Sequence, residues 1–172
     1  MSAKRLYIGK YLLLSAVLLL AGSFALFYYL NAEKRDEAKI RTLLHTLADD
    51  LSKNPQESAA SSLLKIKSIS NAFADPASVS MDKYASGEFS NEQIISYAGK
   101  YRSLLRSAEV SVSDMQISIK DKTSANGFFS GRFSGTSKSG MSDTIVKDIE
   151  AVFVKQDGKW LIKSIKFSNV LH

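Results

Sequence analysis

The sequence predicts an α+β fold in which three helices precede a curved, bulged four-stranded antiparallel sheet, all behind an N-terminal transmembrane helix. Three observations carry this reading. Tyr11 to Leu30 contain no charged side chain, apolar residues between Glu33 and Leu105 recur at helical spacing, and from Glu109 onward the period falls to two. A chain of 172 residues has room for one domain and an anchor. Its 45% hydrophobic and 23% charged content suits a folded core rather than disorder.

Residues 1–10 form a short basic tail, and YLLLSAVLLLAGSFALFYYL follows as residues 11–30. Twenty residues at a helical rise of about 1.5 Å cover about 30 Å, the hydrocarbon thickness of a bilayer. Tyr7 and Tyr11 at one end and Phe27, Tyr28 and Tyr29 at the other suit the headgroup level. A cleavable signal peptide ending near Ala21-Gly22-Ser23 is the rival, but the apolar run continues past it to Leu30. The same stretch looks like a lipobox with serine where lipid attachment needs cysteine, so lipidation there is excluded. Lys and Arg are balanced across the span, and the short basic tail decides for an extracytoplasmic domain at 31–172, on a bacterial inner membrane.

In the first helix, Glu33 to Leu51, Ile40, Leu43, Leu44, Leu47 and Leu51 form one stripe. Asn54 and Pro55 are expected to open the second helix, which runs to about Phe73 with Ala59, Leu63, Ile66, Ile69 and Phe73 inward. Asp75 to Gly87 reads as a loop with at most a short turn or strand. Ser90 and Gln93 make a capping box for the third helix, whose inward stripe is Ile94, Tyr97, Ala98, Tyr101, Leu104 and Leu105.

Val110 and Val112 alternate, then Met115, Ile117 and Ile119 alternate in the opposite phase, so a β-bulge is expected at Ser113-Asp114. Phe129, Gly131 and Phe133 mark a second strand, and Ile145 to Lys155 a third. Ile149, Ala151 and Phe153 share one face of that third strand, and Val152 and Val154 the other. Asp157-Gly158 is a tight hairpin signal, and the last strand flips phase between Ile162 and Ile165. Helices followed by a bulged meander, with the ending DGKWLIKSIKFSNV, resemble the nuclear transport factor 2-like superfamily, also called cystatin-like or SnoaL-like, over residues 33–170. The resemblance implies helices packed on a concave sheet face. It leaves activity open, because the superfamily includes isomerases, dehydratases and cyclases beside transport factors and assembly domains.

In the enzymes of that superfamily, a cone-shaped cavity between helices and sheet holds an Asp or His base with Tyr or Asp donors. Tyr84, Tyr97 and Tyr101 are the cavity candidates here, with Trp160 closing the space and Asp114, on the expected bulge, as the candidate acid. The plainer reading makes Asp114 and Glu150 surface or bulge residues, and the tyrosines core aromatics with satisfied hydroxyls. His45 reads as a half-exposed helical residue, and His172 is terminal. No catalytic residue is assigned, because no acid–base pair, nucleophile elbow, phosphate loop or metal motif is present. No metal and no cofactor are expected.

Without cysteine there is no disulfide or thiolate site. Of the net charge of +6, three charges are Lys4, Arg5 and Lys10, and the small remainder is scattered, which argues against nucleic acid. The expected partners are the bilayer, through residues 11–30, and a second copy or other protein on the free sheet face at Val152 and Val154. The resemblance adds dimerisation through that face. The leading expectation is a membrane-anchored, non-enzymatic binding or assembly domain. An isomerase, dehydratase or cyclase, or a carrier of a small hydrophobe, is the alternative.

Overall fold

The structure, a computed structural model, describes residues 31–81 and 85–169. The chain divides into two compact units, 1–36 and 37–172. Of the first, residues 31–36 are described, and they are helical. The second opens with helix α1 (37–51), followed by α2 (Ala59–Asn71), β1 (Phe73–Met81), β2 (Ala85–Phe89) and α3 (Asn91–Leu104). Four long strands complete it: β3 (Leu105–Ile119), β4 (Ser124–Ser137), β5 (Ser142–Gln156) and β6 (Lys159–Asn169).

No described helix is long and apolar enough to cross a membrane. The single-pass, extracytoplasmic placement expected from the sequence is corrected on that finding. Residues 11–30, on which it rested, lie outside the described residues, as does Tyr84.

The described sheet has six strands rather than four, in the order β2-β1-β6-β5-β4-β3. The extra pair comes from the segment expected to be a loop: β1 pairs with β2 antiparallel and lies parallel to β6. Ala74 and Ala77 point inward from β1 and are buried. Their small size hides the alternation that larger residues would display.

The period-two reading of β3 to β6 agrees with the structure. The register slips between Ser113 and Gln116, and Asp114 adopts φ 54°, which is the expected bulge. A second slip in the β5–β6 pairing accounts for the phase change after Ile162. Asp157 and Gly158 both have positive φ, as a two-residue hairpin turn of this hand requires.

The helices depart more from expectation. The capping box on α3 is complete, Ser90 N–H donating to Gln93 Oε1 at 2.8 Å. On α2 the cap is Ser58, accepting from Ser61 N–H, so the helix starts four residues past Pro55 and turns Leu63 to solvent. Leu104 is also exposed, and Arg102 takes the buried place on α3.

Ile40, Leu44 and Leu47 from α1, Ile69 from α2 and Ile94 and Ala98 from α3 pack on the inner sheet face. Phe129, Ile149, Phe153 and Ile162 meet them there. Each such side chain contributes roughly 1.5–3 kcal/mol on burial. The α1–α2 linker also covers part of the free edge of β3. Lys53 N–H donates to the Ala108 carbonyl at 2.8 Å, Ala108 N–H returns to Lys53 at 3.0 Å, and Val110 N–H donates to Ser52 Oγ.

Candidate functional site

Between helices and sheet, space is taken up by side chains folded down onto β4. Gly127, Gly131 and Gly135 lie on its inward side in step with Phe129 and Phe133. A methyl on Gly127 would stand 2.8 Å from Phe153 Cε2, one on Gly131 2.6 Å from Ile149 Cδ1, and one on Gly135 2.6 Å from Phe133 Cζ. The missing side chains let the rings of Phe153 and Phe133 and the end of Ile149 lie against β4.

Of the sequence-derived cavity residues, the described ones, Tyr97, Tyr101, Trp160 and Asp114, lie apart. Tyr97 is 58% exposed, its ring edge-on to Phe89 at 5.6 Å with Lys100 Nζ 5.7 Å from its centre. Tyr101 is half-buried beside Phe133, and burial pushes its hydroxyl up to about 12, so it stays protonated. Phe133 pairs with Ile145, whereas Trp160 pairs with Lys155. Those two β5 positions are roughly 33 Å apart along an extended strand, so Tyr101 and Trp160 cannot share one ligand. Trp160 is buried under Lys155, and its Nε1 has no partner among the described residues. Asp114 is exposed on the bulge, accepting from Ser113 Oγ at 2.9 Å. His45 is exposed on α1.

The open feature is on the opposite, outer face of the sheet. Strand register places Gln116, Phe128, Glu150 and Lys166 in one row across β3, β4, β5 and β6. Ser118, Asn126, Val152 and Ser164 form the next row. A groove of about 720 Å³ runs over these rows, with Glu37 and Arg41 of α1 also at its wall. Arg41 donates to Glu37 Oε1 at 2.8 Å and to the Met115 carbonyl at 3.0 Å, which ties α1 to the bulge. Phe128 is 41% exposed and Val152 38% exposed, so two apolar side chains stand on the groove floor beside Asn126 and Glu150. Val154 also faces this side and is half-buried. Among the described residues no cluster of side chains is suited to a metal ion.

The most strongly held polar group is one the sequence reading missed. Arg102, 1% exposed, donates to the Asp50 carbonyl at 2.6 Å, the Ser52 carbonyl at 3.1 Å, Ser62 Oγ at 3.1 Å and the Glu57 carboxylate. Lys65 Nζ stands 3.2 Å from the other oxygen of Glu57. Burial raises the Glu57 pKa, but hydrogen bonds and charge from Arg102 and Lys65 outweigh it and hold the carboxyl below its ordinary value. The knot ties Arg102 of α3 to Asp50 of α1, to Ser52 and Glu57 of the linker and to Ser62 of α2, so its role is structural. Its only sequence signal is an arginine four residues after Ala98 on an inward stripe.

No family model matches the chain, and no curated protein does. Solved structures do. A protein described provisionally as a scytalone dehydratase, from Novosphingobium aromaticivorans, superposes with a TM-score of 0.70 at 12% identity, over 82% of this chain and 88% of that one. A hexachlorocyclohexane dehydrochlorinase matches at 0.67 and 12%, over 81% and 88%. A provisional calcium/calmodulin-dependent protein kinase II association domain from Xanthomonas campestris matches at 0.56 and 20%, over 79% and 86%. The chain has the nuclear transport factor 2-like fold, and at these identities the likeness shows the fold alone.

Proposed function

We propose that this domain binds a protein partner on its outer sheet face, as a docking or assembly module without chemistry between helices and sheet. The observation that carries the proposal is the contrast between the two faces. The inner face is packed with Phe129, Phe153, Ile149 and Ile162, while the outer face keeps an open groove in which Phe128 and Val152 stand exposed beside Asn126 and Glu150. Exposed apolar side chains interspersed with polar ones are a composition found at association surfaces. The contact is a homodimer or an equivalent hetero-contact.

Sedimentation of the full chain tests this. Val152→Asp adds an unpaired charge to the contact, so association weakens while the melting temperature changes little. A chain that is monomeric at high concentration and holds no other protein on this face, or a variant that unfolds instead of dissociating, contradicts the proposal.

The second reading is an elimination enzyme, supported by the dehydratase and dehydrochlorinase names of two neighbours. It needs a carboxylate base beside bound substrate, and the groove offers Glu150. Turnover of a chlorinated cyclohexane by the full chain, lost in Glu150→Gln, would favour this reading over docking.

A further inference from the structure

The charges in the groove go further and name the partner, an inference that rests on the docking reading above. Glu150 and Lys166 are register partners on β5 and β6, both exposed on the outer face. No ion pair or hydrogen bond joins either side chain to another among the described residues. Two opposite charges thus stand side by side, each open to an outside group.

Their position in the sheet is as informative as their sign. In the order β2-β1-β6-β5-β4-β3, the line between β6 and β5 is the midline of the sheet. A two-fold axis parallel to the strands along that line, lying between two copies packed face to face, brings Glu150 of each copy over Lys166 of the other. An axis running across the strands at that row would instead set Glu150 over Glu150. The charges therefore select one of the two simple orientations.

The same operation matches side-chain size. Lys166 pairs with Ser80 of β1, and Ser80 with Ser86 of β2, so the row continues from Phe128 and Glu150 to Lys166, Ser80 and Ser86. The adjacent row reads Asn126, Val152, Ser164 and Ser78. The β4–β5 half carries Phe128 and Val152, and the β6–β1 half carries serines apart from Lys166. Rotation about the midline lays Phe128 over Ser80 and Val152 over Ser164, filling the shallow half of each face with the raised half of the other.

We propose that Glu150 and Lys166 are the specificity pair of an isologous dimer, exchanged reciprocally across an axis along the β5–β6 line. The test uses the full-length chain in two variants, Glu150→Lys and Lys166→Glu. Each alone puts like charges across the axis and dissociates the dimer, with a dissociation constant roughly tenfold or more higher. Mixed together, the two variants meet with opposite charges at both contacts. They form a heterodimer of near wild-type affinity by sedimentation equilibrium.

Circular dichroism melting confirms that each variant is folded. If the wild type dimerises and Val152→Asp weakens it, while neither reversal does so, the docking reading stands and the specificity pair is refuted. Two dissociated variants that stay apart on mixing also refute it. A wild type that never dimerises overturns this inference, and binding of a different protein to the same face would leave the docking reading intact.

Discussion

Replacing Arg102 by alanine removes the centre of the knot joining α1, α2 and α3. The side chains of Arg102 and Glu57 are 2% and 5% exposed, so the surviving carboxylate cannot recover its lost partner from bulk water. The Asp50 and Ser52 carbonyls lose donors at 2.6 and 3.1 Å in the same step. Removing one member of a buried pair costs about 3–5 kcal/mol, against a typical domain stability of about 5–15 kcal/mol. Lys65 remains on Glu57 and keeps the loss toward the lower end. The lone tryptophan, Trp160, sits in the core and reports unfolding by fluorescence during urea titration of the full chain. The midpoint should fall with an unchanged slope.

Acid supplies a second arm of the same prediction. The folded pKa of Glu57 lies below its ordinary 4.5, so its contribution to stability is fully present above about 4.5 and is lost as pH falls through the lowered folded value. Arg102→Ala removes the largest of the lowering contributions, and the acid-dependent loss attributable to Glu57 shrinks with it. A cost below about 1 kcal/mol, the range of an exposed pair, would refute the view that this knot joins the helices.

The glycines of β4 give a paired prediction. Gly127→Ala drives a methyl against the ring of Phe153, which is fully buried and has no room to turn, at a cost of about 1–3 kcal/mol. Gly131→Ala meets only the terminal methyl of Ile149, which can change rotamer, so its cost should be clearly smaller in the same urea assay.

What the sequence revealed depended on how far apart the interacting residues lie. The capping box of α3, the bulge at Asp114 and the Asp157-Gly158 turn are set by neighbours a few residues apart, and all three were legible. Strand β1 was not, because its inward residues are alanines and its partner β6 lies at the far end of the chain. The α2 boundary was misread since Asn54 and Pro55 supply a start signal, yet Asn54 Oδ1 instead accepts from Gln56 N–H in a turn and Ser58 caps the helix. Tyr97 and Arg102 exchanged expected places for a related reason. Helical spacing admits both near the inward stripe, and only Glu57 and the carbonyls of Asp50 and Ser52 make an arginine the better buried residue. For the candidate site, the outward facing of Val152 was readable from alternation. The rows that bring Phe128, Glu150 and Lys166 together needed the register of three strands.

Because the chain lacks cysteine, Val152→Cys gives a single thiol on the outer face. Its rate of modification by a small maleimide, measured on the full chain from dilute to concentrated solution, tests directly whether that face is where a partner docks. Docking through this face predicts that modification slows as concentration rises, while a cysteine placed at exposed Thr144 near the far end of β5 keeps its rate. Modification of Val152→Cys at one rate across the whole range, in a chain that sediments as a dimer, would contradict the account.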